Sequence, residues 1–207
     1  MNLYVETNFI LEQSYLQEQQ EACEQILSLA EEQRISLRLP AVCIGEAYGA
    51  LIGRSKKRTQ LHLNLFQELK ELARSKPYND VRDQFQDLTR LLLSIGEEEK
   101  RRLDSALHHV LKVTTLIPID TVIVRRSVEL QTSRDLQPAD SLVYSSVLAD
   151  LSGQPQTIPN YFVTKNSKDF SNPDIVADLA QLNCNLVTRF GEAYGLLLSD
   201  ARRIPDA

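Results

Sequence analysis

Tyr4-Val5-Glu6-Thr7-Asn8-Phe9-Ile10-Leu11 decides how the rest of the chain is read. Leu3-Tyr4-Val5 is a compact apolar strand candidate, and Glu6-Thr7-Asn8 ends it. An acid at that position has two readings. Thr7 or Asn8 can cap a following helix, with the acid favoured by the helix N-terminus. Alternatively, Glu6 is presented at a sheet edge as a ligand. The choice between them rests on what else the chain delivers to that edge.

Working outward, short β-rich runs alternate with helical stretches. Glu18 to Gln33 carries Ala22, Ile26, Leu29 and Ala30 at helical spacing. Ser36-Leu37-Arg38-Leu39 alternates like a half-buried strand, and Pro40 suits the first turn of the next helix. Leu116-Ile117-Pro118-Ile119 is a further strand candidate, with Asp120 placed to cap a helix from Thr121. Pro138 opens a helix through Ala149; Tyr161-Phe162-Val163 and Asn185-Leu186-Val187 complete the strands. Strands separated by helices predict an α/β fold, a central parallel sheet of about four to five strands with helices on both faces.

The middle of the chain, about residues 59–112, is helical throughout. Leu61, Leu65, Leu69 and Leu72 form one stripe, Phe85, Leu88, Leu92 and Ile95 a second, and Leu103, Leu107, Val110 and Leu111 a third. Pro77-Tyr78-Asn79-Asp80 separates the first from the second. No flexible linker bounds this stretch, so it reads as a helical extension of a single domain over residues 1–207.

Composition narrows the class. The 207 residues include seven Gly and eight Pro, too few for a low-complexity chain. No apolar run approaches the roughly 20 residues of a membrane span, and the polar opening predicts no leader peptide. Cys23, Cys43 and Cys184 lack CxxC spacing, which argues against a disulfide framework or zinc knuckle and for a reducing cytoplasm. Cys43 reads as a small buried hydrophobe. A net charge of −5 means that any nucleic-acid contact rests on a local basic patch.

Four acids fall where a parallel sheet presents side chains to one edge: Glu6, Glu46, Asp140 and Asp169. Open α/β sheets bind ligands outside the carboxyl ends of their strands. Carboxylates gathered there repel one another, and Mg²⁺ or Mn²⁺ would relieve the repulsion. His62, His108 and His109 all lie in the helical extension, away from these acids.

The four segments resemble those of PIN domains, in order and over nearly the whole chain. Tyr4 to Leu11 looks like the family's opening strand, and Ile44-Gly45-Glu46-Ala47 resembles its second acidic helix. Leu136-Gln137-Pro138-Ala139-Asp140-Ser141-Leu142-Val143 looks like the third, and Phe162-Val163-Thr164-Lys165-Asn166 through Phe170 the fourth. The resemblance implies a three-layer α/β/α fold and a metal-dependent endoribonuclease acting on single-stranded RNA. Glu6, Glu46, Asp140 and Asp169 would be catalytic and hold Mg²⁺ or Mn²⁺, with Asn166 as a further ligand. Asn8 would support the first acid from behind, and Thr164 would orient backbone or phosphate. Many small prokaryotic members of the family are the toxin half of toxin–antitoxin pairs, which offers that role as a further reading. Two departures stand out: the family's usual Asp is Glu6 here, and its fourth acid is Asn166, with Asp169 three residues later. They leave open an alternative, a catalytically weakened PIN-fold module that binds RNA or protein.

RNA contact needs cations. Arg54, Lys56, Lys57 and Arg58 form a basic run after the helix that carries Glu46, and Lys165 and Lys168 flank the fourth acidic segment. The stripes at Leu61–Leu72 and Phe85–Ile95 are candidate seats for an antitoxin or a second copy of the chain, with core packing as the plainer reading.

Overall fold

The computed structural model describes residues 1–78, 86–155 and 157–201. Two of its strands, Asn2–Val5 and Asn160–Val163, form where apolar residues run almost unbroken, the signature of strands covered on both faces. The strands are β1 (Asn2–Val5), β2 (Ser36–Pro40), β3 (Thr114–Ile117), β4 (Asn160–Val163) and β5 (Cys184–Val187). The sheet is parallel throughout, in the order β3-β2-β1-β4-β5, with Tyr4 paired to Arg38 on one side and to Phe162 on the other. β1 and β4 are buried along their whole length.

The helices are α1 (Thr7–Tyr15), α2 (Gln20–Glu31), α3 (Val42–Leu72), α4 (Gln86–Val113), α5 (Thr121–Ser133), α6 (Pro138–Ser152), α7 (Ser167–Phe170), α8 (Pro173–Gln181) and α9 (Phe190–Ala201). α1 and α3 pack on α4, α5 packs on α6, and α2 packs on α9, completing a three-layer α/β/α architecture. Asp120 caps α5 as expected, accepting a 2.8 Å hydrogen bond from the Ile123 amide.

Several elements differ from the sequence reading. Pro40 closes β2, and α3 starts at Val42. β3 lies two residues earlier than expected because the β-branched Thr114 and Thr115 follow α4 without a break, while Pro118 has no N–H to donate. α3 runs unbroken to Leu72, so Arg54 to Arg58 lies inside the helix and not after it. A short 3₁₀ turn, Lys76–Tyr78, follows; Asn79, Asp80 and Phe85 lie outside the described residues. Of the leucine stripes, Leu103, Leu107 and Val110 enter the core. Leu61, Leu72 and Leu88 are exposed, whereas Leu69 of the same stripe as Leu61 and Leu72 is buried.

Strand order places the site. From β1 the chain steps outward to β2 and β3, then returns to the other side of β1 for β4 and β5. The order reverses between β1 and β4, and that opens a crevice beyond their carboxyl ends. The opposite ends of these strands carry a polar clamp. Arg38 Nη1 lies 2.9 Å from both carboxylate oxygens of Asp150, Tyr4 donates to Asp150 at 2.6 Å, and Asn2 donates to Asn160 at 2.9 Å.

Candidate metal centre

Glu6 leaves β1 with extended backbone and is itself the N-cap of α1, which Thr7 and Asn8 only begin. Its Oε2 accepts from the Asn8 amide at 3.0 Å. Its Oε1 accepts from the Asn8 side-chain nitrogen at 2.8 Å and from the Thr164 hydroxyl at 3.0 Å. The residue is only 5% exposed. Burial pushes its carboxyl above the ordinary range, the Asn8 and Thr164 bonds pull back, and Glu46 pushes further up.

Glu46 reaches the same crevice from α3, where the Thr7 hydroxyl donates to its Oε2. Its pKa is raised by burial and by the charge of Asp140, against that hydrogen bond. Asp140 sits in the first turn of α6, behind Pro138, where helix geometry and dipole both favour an acid. The Asn166 side-chain nitrogen donates to Asp140 Oδ1 at 3.0 Å, and the Asn166 amide donates to the Thr164 hydroxyl at 2.9 Å. Burial raises the Asp140 carboxyl, Asn166 lowers it, and Asp169 raises it. Asp169 stands in α7, its amide bonded to the Asn166 carbonyl at 3.3 Å. Each acid therefore feels the next: Glu6 and Glu46, Glu46 and Asp140, Asp140 and Asp169.

Asn8 stands behind the first acid; Thr164, expected to orient backbone or phosphate, donates to that acid and accepts from the Asn166 amide. Thr7 was missed in this role, since next to Glu6 it reads as a cap.

Other buried acids of the chain are treated differently. Glu12, 1% exposed, binds the Lys165 ammonium, and Glu99, 5% exposed, receives both arms of the Arg58 guanidinium. Among the described residues no basic side chain pairs with Glu6, Glu46 or Asp140. A carboxylate buried without a cation is costly.

Hard oxygen donors with uncompensated charge fit a divalent cation such as Mg²⁺ or Mn²⁺. The pose is wider than a coordination sphere: among the described residues no three acidic, imidazole or thiol side chains stand close enough together to hold an ion. Thr7, Asn8, Thr164 and Asn166 each hydrogen-bond one of the acids.

The basic residues divide into two groups. Arg54 lies over the Tyr15 ring at 3.8 Å, Arg58 binds Glu99, and Lys165 binds Glu12 with Glu18 at 3.8 Å. Arg54 and Arg58 are engaged inside the chain because one helical turn separates them, on the side facing α1 and α4, and Lys165 is held by the acids of α1 and the turn after it. Lys56, Lys57 and Lys168 are exposed.

A parallel α/β sheet with uncompensated acids at its switch point, Glu6 buried and Glu46 and Asp140 half-buried, defines the class of protein. Within that class the PIN domain profile matches residues 3–170, and the chain belongs to the PIN domain family. Proteins of this family are generally nucleases that use divalent metal ions. Among solved structures, the chain is similar to one in the crystal structure of VapBC2 from Rickettsia felis bound to a DNA fragment from their promoter. The TM-score is 0.45 at 14% identity, covering 90% of this chain and 98% of that one. No curated protein matches the sequence. Among the described residues no helix is long and apolar enough to cross a membrane.

Proposed function

We propose that the chain is a metal-dependent endoribonuclease that hydrolyses phosphodiester bonds of single-stranded RNA. The observation that carries this reading is Glu6, a buried carboxylate that meets only neutral donors and a second acid. Glu6, Glu46 and Asp140 would hold Mg²⁺ or Mn²⁺, with Asn166 and Asp169 beside them. The bound ion supplies a water of lowered pKa and charge at the phosphoryl oxygens. Asn8 and Thr164 fix both oxygens of Glu6, Thr7 orients Glu46, and Asn166 orients Asp140. Lys56, Lys57 and Lys168 remain free to meet the phosphate backbone.

The test is cleavage of a labelled single-stranded RNA by purified protein with Mn²⁺ or Mg²⁺. Cutting is expected with metal and lost in chelator, in Glu6→Gln and in Asp140→Asn. Equal activity in chelator, or in the double variant, would overturn the reading.

The separated pose of the acids supports a second reading, a PIN-fold module that binds RNA or protein without cutting. A module of that kind would show no carboxylate-dependent metal binding. Exposed Leu61, Leu63, Phe66, Leu72, Leu88 and Leu91 support a toxin role, with an antitoxin or a second copy seated on α3 and α4. Free, buried Cys23, Cys43 and Cys184 support a reducing, cytoplasmic setting.

A further inference from the structure

Lys165 stands between two residues of the acidic centre yet serves neither directly. On one side Thr164 donates to Glu6; on the other Asn166 donates to Asp140. Lys165 itself places its ammonium on Glu12 of α1. Glu12 is 1% exposed, and its second oxygen accepts from the Gln19 amide at 2.8 Å. Thus one buried carboxylate ties together three points: α1, the turn into α2, and the exit of β4. Glu6 heads the helix that carries Glu12, and Thr164 adjoins Lys165. The two segments that grip the Glu6 carboxylate are therefore locked to each other by a second contact, one and a half turns along α1.

We propose that Lys165 and Glu12 are positioning residues: their ion pair sets the spacing between the head of α1 and the β4 exit, and so the geometry of the carboxylates. The proposal rests on the metal-dependent reading given above. It reassigns Lys165 from gripping RNA to holding the centre in shape. Surface ion pairs contribute little to such positioning, but a buried acid with both oxygens engaged has few alternative places to go.

The experiment compares wild type, Lys165→Met, Lys165→Arg and the double variant Glu12→Gln/Lys165→Met. The double variant leaves no stranded charge, so it keeps the test decisive even where Lys165→Met fails to fold. Three readouts are taken: exchange of the Asn166 amide by NMR, Mn²⁺ affinity by calorimetry, and kcat and KM on single-stranded RNA. Asn166 exchange is expected to quicken at least about tenfold in Lys165→Met and in the double variant, with the strand amides of β1 and β2 unchanged. Mn²⁺ affinity is expected to fall about tenfold, the scale for residues that orient metal ligands, with kcat reduced and KM held. Lys165→Arg is expected to restore both. Unchanged Asn166 exchange with unchanged Mn²⁺ affinity would overturn the proposal. So would uniform loss of protection, which marks a merely structural pair, or a raised KM at constant kcat, which marks an RNA contact. Should wild type neither bind Mn²⁺ nor cut RNA, the metal-dependent reading fails, and the Asn166 exchange alone decides whether the pair positions this segment.

Discussion

At the amino ends of the central strands, Asp150 receives Arg38 at 2.9 Å and the Tyr4 hydroxyl at 2.6 Å. At the carboxyl ends, Glu6, Glu46 and Asp140 receive, among the described residues, hydroxyls and amides alone, and each is pushed above the ordinary carboxyl range. The same sheet thus carries a neutralised polar cluster at one end and an uncompensated one at the other. Acids that raise one another's pKa are costly to gather, and the proposed metal ion would offset that cost at the uncompensated end. Glu12 and Glu99 sharpen the contrast, because each is as buried as Glu6 and each has its cation.

Substitution separates the two ends most sharply. Glu6→Gln and Asp140→Asn are expected to lower kcat on RNA by about 1,000-fold, the upper scale for losing one preorganised electrostatic group. Both should leave the thermal midpoint level or raised, since folding works against the charged form of each acid. A lowered midpoint of several degrees would make these acids structural and erase the contrast. At the other end, Arg38→Met strands Asp150 and is expected to cost roughly 3 kcal/mol by chemical denaturation. Activity per folded molecule should not change.

A pH series breaks or sharpens the same contrast without mutation. Glu6, Glu46 and Asp140 have folded pKa values above their unfolded ones, so their stabilising contribution is complete at pH values below the unfolded pKa. It is lost as pH rises through the raised folded values. Metal-free protein is therefore expected to lose stability across that window. Mn²⁺ at 100 times its dissociation constant should return about 2.7 kcal/mol at neutral pH and far less in acid, where the ligands are protonated. Stability that rises with pH in metal-free protein would contradict the assignment.

The smallest effect lies on α3. The pair Lys56→Gln and Lys57→Gln should raise KM a few-fold and flatten its salt dependence while leaving kcat alone. Arg58→Met should instead lower stability, since it strands Glu99. Equal kinetic effects from the lysines and from Arg58 would return the basic run to a single RNA-binding patch.

Three of the four acids sit beside local punctuation in the sequence: Glu6 at the end of an apolar run, Asp140 after Gln137-Pro138, Asp169 after the fourth strand; Glu46, inside α3, has none. Their partners were not legible there, because hydrogen bonds such as Thr164 to Glu6 join residues far apart along the chain. The charges of Arg58 and Lys165 were equally visible, but the buried acids that claim them, Glu99 and Glu12, look in sequence like any surface glutamate. β3 was placed two residues late because Thr114 continues the helical rhythm of α4, with no glycine or capping residue to end it. α8 and α9 went unremarked, although Pro173 at a helix start and the apolar run Leu196-Leu197-Leu198 mark them plainly in hindsight.

The most direct measurement is an anomalous difference map from crystals soaked in Mn²⁺. One peak within bonding reach of Glu6, Glu46 and Asp140, absent in Glu6→Gln crystals, is the expected result. Full soaking with no peak in that crevice, or a peak held by acids elsewhere on the molecule, would contradict the account.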